Sequence, residues 1–301
     1  PISCIVAFTM IDEDSLLTFL SQKDLSSSLL ISLGIVYFLN DNELLESILN
    51  SVFPALISDH FNDDYDVSLF VISRNTPYLS DHLDFLEEVF NIFVEIIQSD
   101  NYSAIQSFLY ALNHIASKIP DVVTKNCTNF ILFCLENMVD PTKYQHDDFL
   151  RICRIMSKFV SSAETIDDQR RFSEILTNPV CQLLTGNSQE MVLLGCEAVN
   201  SLASISALSV GITMEFLWEP LSVALNNLKN SEVFSIACDS FSTTIRTCPF
   251  ENCAEIISSF VEFAQSVPNQ ACAIVHTFSQ IRLCHREMED YRKMIVDTFI
   301  Q

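Results

Sequence analysis

Apolar side chains recur along the chain at helical spacing, in stretches of roughly 15 to 20 residues separated by brief polar breaks. Leu83, Leu86, Val89, Phe90, Phe93, Val94 and Ile97 follow an i, i+3, i+4, i+7 pattern, and Ile256, Ile257, Phe260, Val261 and Ala264 repeat it. A stripe of this kind is the face that an amphipathic helix buries. Helices of this length with short connections pack as antiparallel neighbours. Only four glycines occur in 301 residues, where average usage would supply about twenty. Hairpins, doubly wound sheets and phosphate-cradling loops use glycine where φ is positive or a ligand nears the backbone. Neither GxGxxG nor GxxxxGK[ST] is present. The expectation is an all-α chain.

The prolines distinguish a bundle from a stacked array. Pro54, Pro179 and Pro220 each stand just before an apolar helical turn, in Phe53-Pro54-Ala55-Leu56-Ile57, Asn178-Pro179-Val180-Cys181 and Glu219-Pro220-Leu221-Ser222. The second and third are 41 residues apart, and the first precedes the second by 125. An interior helical proline costs about 3 kcal/mol, so it recurs only where the fold tolerates it. The helices that follow keep the same step. Gly195-Cys196-Glu197-Ala198 matches Ala237-Cys238-Asp239-Ser240 at an offset of 42, and Ile152-Cys153-Arg154-Ile155 lies 43 residues before the first. Ala111-Leu112-Asn113-His114 aligns with Ala198-Val199-Asn200-Ser201 at 87, two steps. A period near forty with two helices per unit predicts an α-α superhelix of about seven antiparallel helix pairs. Second helices are expected from about 25, 65, 101, 147, 188, 231 and 270, which makes residues 1–301 one solenoid.

The order of these elements resembles the HEAT repeat. A first helix carries a proline before its last turns, a polar break such as Lys229-Asn230-Ser231-Glu232 follows, and a second helix begins as Val233-Phe234-Ser235-Ile236-Ala237-Cys238. Divergent repeats of this armadillo-like type in an acidic chain, with Ile245-Arg246-Thr247-Cys248-Pro249 closing a second helix, look most like the importin-β (karyopherin) superfamily. Within it they resemble the transportin-3 and importin-13 branch. The resemblance implies a non-enzymatic segment of a nuclear transport receptor, working in cytoplasm and nucleus. Basic cargo, a Ran-type GTPase and Phe-Gly nucleoporins would be its partners. One position departs from the better-kept pattern. After the intra-repeat break, where a basic residue is usual, stand Val192-Leu193 and Val233-Phe234. A HEAT scaffold or adaptor subunit of a vesicle coat or phosphatase complex therefore stays open.

Second helices of a solenoid show a polar stripe on its concave side. The offsets align Tyr110, Arg154, Glu197 and Asp239 in one column, and Asn113, Ser157, Asn200 and Ser242 in the next, three residues on. These eight residues are the candidate partner-binding stripe. Polar side chains there supply hydrogen bonds and charge matching.

Charge narrows the partner. The net charge is −23, from 16 basic and 39 acidic side chains. Residues 1–117 hold two cations, Lys23 and Arg74, against seventeen acids. Asp63, Asp64 and Asp66, with Glu87 and Glu88, are the candidate acidic docking clusters. A negative field speeds encounter with basic partners and repels nucleic-acid phosphates.

Chemistry is thin. Six histidines do not cluster, no HExxH or GxSxG occurs, and the adjacent Cys284 and His285 point about 100° apart on a helix. No catalytic residue, cofactor or metal site is expected. The longest apolar run, Leu29 to Leu39, is eleven residues, against roughly 20 for a membrane span. Eleven cysteines without a C-x-x-C pair fit a reducing, intracellular setting. Two sequons, Asn101-Tyr102-Ser103 and Asn126-Cys127-Thr128, point the other way but are short enough to arise by chance. Both ends are apolar, so the chain reads as a fragment without polar capping repeats. It is expected to self-associate or fray at its ends; a monodisperse monomer with termini protected in hydrogen exchange would contradict that.

Overall fold

The computed structural model describes residues 75–99, 102–203, 210–229, 231–247 and 250–284, together with Leu69, Ile72 and Ser73. Among the described residues there are thirteen α-helices, one short 3-10 turn and no strand. The chain divides into two compact units, meeting in sequence after Phe130.

In the first unit, α1 (Thr76–Asp81), α2 (Leu83–Gln98) and α3 (Tyr102–Lys118) pack on one another, and α4 (Pro120–Asn126) packs on α3. Pro77 and Pro120 stand in the first turns of α1 and α4, where a missing N–H removes no hydrogen bond. Helix α2 buries Leu86, Val89, Phe90, Phe93, Ile96 and Ile97. Leu83, in the expected stripe, begins the helix and stays 39% exposed. Phe93 meets Phe108 edge-on at 4.9 Å, and Phe90 stacks on Phe130 at 3.9 Å.

Helix α5 (Thr128–Met138) leads into the second unit, which continues with α6 (His146–Ser161), α7 (Ile166–Leu184), α8 (Gln189–Leu202), α9 (Val210–Glu215), α10 (Trp218–Leu228), α11 (Phe234–Thr247), α12 (Phe250–Gln265) and α13 (Ala271–Cys284). Helices α3, α6, α8, α11 and α13 begin beside the second-helix starts read from the sequence; those near 25 and 65 start outside the described residues. Capping sets several of these boundaries. Thr165 Oγ1 accepts a hydrogen bond from the Asp168 amide at 3.0 Å, and Ser188 Oγ accepts one from the Met191 amide at 3.2 Å. Each satisfies an amide that the first turn leaves without a partner. Asp147 and Asp148 stand in the first turn of α6, and Asp167 and Asp168 in that of α7, at the positive ends of those helix dipoles.

Packing runs in series. Helix α8 packs on α6, α11 packs on α8, and α13 packs on α11, while α7 lies against α6, α8, α9 and α10. Phe260 of α12 sits 4.4 Å from Phe241 of α11 and 5.3 Å from Phe278 of α13.

The two prolines in this unit differ in setting. Pro179 lies inside α7, whereas Pro220 is the third residue of α10 and follows a turn at Phe216-Leu217. Among the described residues the expected proline before the last turns therefore fits α7, and Pro54 lies outside them. A proline ring collides with the carbonyl four residues back and cannot bond to it; α7 runs on through Pro179, whereas a turn at Phe216-Leu217 precedes Pro220. Before Pro220 that carbonyl belongs to Phe216, and it accepts instead from the Cys181 thiol of α7 at 3.6 Å.

Gly195 fixes how closely α8 approaches α7. A Cβ at this position would stand 2.9 Å from the Leu184 amide nitrogen and 3.1 Å from Leu183 Cβ. Gly195→Ala gains about 1 kcal/mol of helix propensity but forces the two helices apart, an overpacking cost of about 1–3 kcal/mol. The expected outcome is a lower Tm for Gly195→Ala and a larger fall for Gly195→Val, read by thermal denaturation.

Candidate protein-binding face

The first column of the stripe is open to solvent where it is described. Arg154 on α6 and Asp239 on α11 are exposed, and the Glu197 side chain on α8 is 41% exposed. Its carboxylates are not idle. Glu197 pairs with His146 Nε2 of α6, and Asp239 lies 3.9 Å from His276 Nε2 of α13. Each acid of the column thus reaches a histidine on an adjacent helix of the series. Tyr110, on α3 in the first unit, is half-buried, with its ring centroid 4.6 Å from that of His114.

The second column behaves differently. Ser157 is buried, and its hydroxyl donates to the Leu202 carbonyl of α8 at 3.0 Å. Ser242 is buried and donates to the Asp239 carbonyl at 2.9 Å. Asn200 is half-buried, with its Oδ1 shut away from solvent and without a protein donor. Asn113, on α3, is also half-buried. Three residues along a helix turn the side chain by about 300°, so this column is rotated some 60° from the first. At Ser157 that rotation points the side chain at the next helix. Ser157 therefore joins α6 to α8, Ser242 bonds within α11, and both drop out of the solvent-facing part of the stripe.

Glu87 and Glu88 are exposed on α2. Asp63, Asp64 and Asp66 lie outside the described residues.

Polar contacts between helices of the second unit keep a regular reach in sequence. Ser173 and Thr213 hydroxyls lie 2.9 Å apart, Arg170 is 3.6 Å from Glu215, and Ser240 Oγ donates to the Cys196 carbonyl at 3.0 Å. The breaks between helices are tied in the same way. Gln189 Nε2 donates to Ser231 Oγ at 3.1 Å, and Gln270 Nε2 reaches the Lys229 and Ser231 carbonyls at 3.3 Å. These contacts join residues 35 to 51 positions apart.

In the second unit two cavities open on α7 and on α9 and α10. One, of about 590 Å³, is lined by Glu174, Thr177, Asn178 and Cys181 of α7 together with Leu135 of α5 and Phe216. The other, of about 570 Å³, takes Glu215, Trp218, Glu219 and Ser222 from α9 and α10, with Phe260 and Phe263 from α12. Of the six residues that each wall takes from α7, or from α9 and α10, four correspond at an offset of 41: Glu174, Thr177, Asn178 and Cys181 with Glu215, Trp218, Glu219 and Ser222. These residues do not stand out in the sequence as a site, because a cavity wall made of one helix's i, i+3, i+4, i+7 positions looks like any other helix face. The absence of Lys and Arg from both α10 and α12 was the legible signal.

Burial suppresses the chemistry of six described thiols. Burial pushes the Cys153 and Cys238 thiols up to about 12 and the Cys181 and Cys196 thiols to about 11. Burial, with the Glu87 carboxylate beside it, also lifts Cys127 to about 11. Cys134 is raised by burial alone. Among the described residues no group of three or more His, Cys, Asp and Glu is placed to hold a metal ion, and no helix is long and apolar enough to cross a membrane. Comparison with known proteins finds no family model that matches the chain and no curated relative.

The thiolate is the species that alkylates, and raising a thiol pKa lowers its thiolate fraction at any lower pH. With iodoacetamide at pH 8 and peptide mapping, exposed Cys272 should label quickly. Cys134, Cys153 and Cys238 should label only in denaturant. Rapid native labelling of Cys153 would contradict the packing of α6.

Proposed function

We propose that this chain is a run of HEAT-type helix pairs stacked as an α-α superhelix, and that it works by binding proteins without catalysing a reaction. The observation that carries the stacked arrangement is the reach of its polar contacts. In the second unit they join residues about one helix pair apart, as expected when each repeat touches its neighbours. The 41-residue correspondence between the two cavity walls supports the same period.

Within that class, the chain is read as a segment of a nuclear transport receptor. It would take basic cargo or a Ran-type GTPase, meet Phe-Gly nucleoporins, and divide its time between cytoplasm and nucleus. Its net charge of −23 favours basic partners through steering and charge matching. Arg154, Glu197 and Asp239 form the part of the stripe that a partner can reach.

The test is a pull-down on immobilised Ran loaded with GTP or GDP, at low and moderate salt. Binding that requires GTP and weakens with salt is the expected result. Equal failure in both nucleotide states would overturn the transport-receptor reading and favour a scaffold or adaptor role for the same superhelix.

A further inference from the structure

We infer that the cavity between α5 and α7 receives a protonated lysine side chain from a partner protein, with the ammonium held by acceptors of the wall and the alkyl stem against its apolar part. The inference rests on the protein-binding reading above and gives it a site away from the polar stripe.

Pro179 frees the first acceptor. A residue without an N–H leaves the carbonyl four positions back without its helical donor. Here that carbonyl belongs to Ile175, which shares a helix face with Pro179 and lines the cavity with it. Among the described residues no side chain donates to it. The second proline differs, because the Phe216 carbonyl, four before Pro220, accepts from the Cys181 thiol at 3.6 Å.

Two carboxylates join that carbonyl. Glu136 of α5 and Glu174 of α7 line the same cavity and are exposed. Neither carboxylate has a hydrogen bond or ion pair among the described residues. In the other cavity the counterpart of Glu174 is Glu215, which Arg170 engages at 3.6 Å. The donors of the α5–α7 wall are largely spent inside the protein. Thr177 donates to the Ser173 carbonyl at 2.7 Å, and the Cys181 thiol to Phe216. No lysine or arginine lines the cavity, and the Asn178 amide is the one donor its wall keeps.

An ammonium group brings three donors and no acceptor, the complement of one carbonyl and two carboxylates. The rest of the wall suits its stem. Leu135 and Val139 are buried, and Pro179 and Phe216 are half-buried. Lysine lays its methylenes along apolar surface of this kind while its charged end stays near water. A volume of about 590 Å³ lies within the usual range of ligand pockets. An anionic side chain would meet two like charges here, and a neutral one would leave the acceptors unmet.

Cys181 lines the cavity and serves as its reporter. The full chain is treated at pH 8 and moderate salt with aminoethyl methanethiosulfonate, a cation, or sulfonatoethyl methanethiosulfonate, an anion, and labelled peptides are mapped over time. Exposed Cys272 is the reference, since the negative charge of the whole chain favours the cation at every thiol. The cation-to-anion rate ratio at Cys181 should exceed that at Cys272 at least tenfold. Glu136→Gln combined with Glu174→Gln should bring it down to the Cys272 ratio. Both positions are exposed, and unchanged circular dichroism would show that the variant folds. In a second arm, millimolar acetyl-Gly-Lys-Gly-amide should slow labelling of Cys181 by neutral iodoacetamide at least threefold and leave Cys272 unaffected. The same peptide with norleucine for lysine should not protect. Equal ratios at the two thiols, a ratio that the double variant leaves unchanged, or equal protection by the norleucine peptide would overturn the proposal. So would protection by free butylammonium with none from the lysine peptide, which would mark a small-amine site. No Ran protein enters these reactions, so their outcome is separate from that of the pull-down.

Discussion

Helix α8 is covered on three sides, by α6, α7 and α11, and the second unit is arranged around what that burial demands of fourteen residues. A helix enclosed this way has little room for bulk. Gly195, Cys196, Ala198 and Ser201 are all buried on it. Small side chains bring backbones close together, and close backbones make carbonyls available to neighbouring hydroxyls. The Ser157 and Ser240 hydroxyls use that availability, bonding to the Leu202 and Cys196 carbonyls. Apolar burial sets the spacing here, and the buried hydroxyls hold the register.

The same geometry decides which polar residues are left for a partner. A hydroxyl near a neighbouring helix is drawn into the seam, because a buried donor left unmet is expensive. A carboxylate one step further round the helix stays at the surface and engages a histidine, as Glu197 and Asp239 do. Contacts of that kind between exposed groups contribute little stability. They can be exchanged for contacts to a partner at small cost.

Much of this was legible in the residues. Periodicity located α2 and α12, and the period near forty located the starts of α6, α8, α11 and α13, because both depend on local apolar spacing. The two columns were harder. Arg154 and Ser157 are both polar and both lie on α6, and only the position of α8 separates an exposed guanidinium from a buried hydroxyl. The break before Pro220 was likewise hidden, since Pro179 sits inside an unbroken helix in nearly the same local sequence. The cavity lined by Phe260 and Phe263 depends on α10 and α12 facing each other, which no stripe on either helix announces. Asp63, Asp64 and Asp66 lie outside the described residues.

The short reach of the interhelical hydrogen bonds also bears on how the chain acquires its structure. A contact such as Gln189 to Ser231 closes a loop of 42 residues, and the Ser157 to Leu202 bond closes one of 45. Closure entropy grows only slowly with loop length, and topologies rich in local contacts fold quickly. Within the second unit, α8 can dock on α6 before α13 exists. A chain emerging at about 5–20 residues per second would bury one helix pair every few seconds during synthesis. Its apolar stripes would then be covered in turn, and only the newest helix would be exposed to aggregation at any moment.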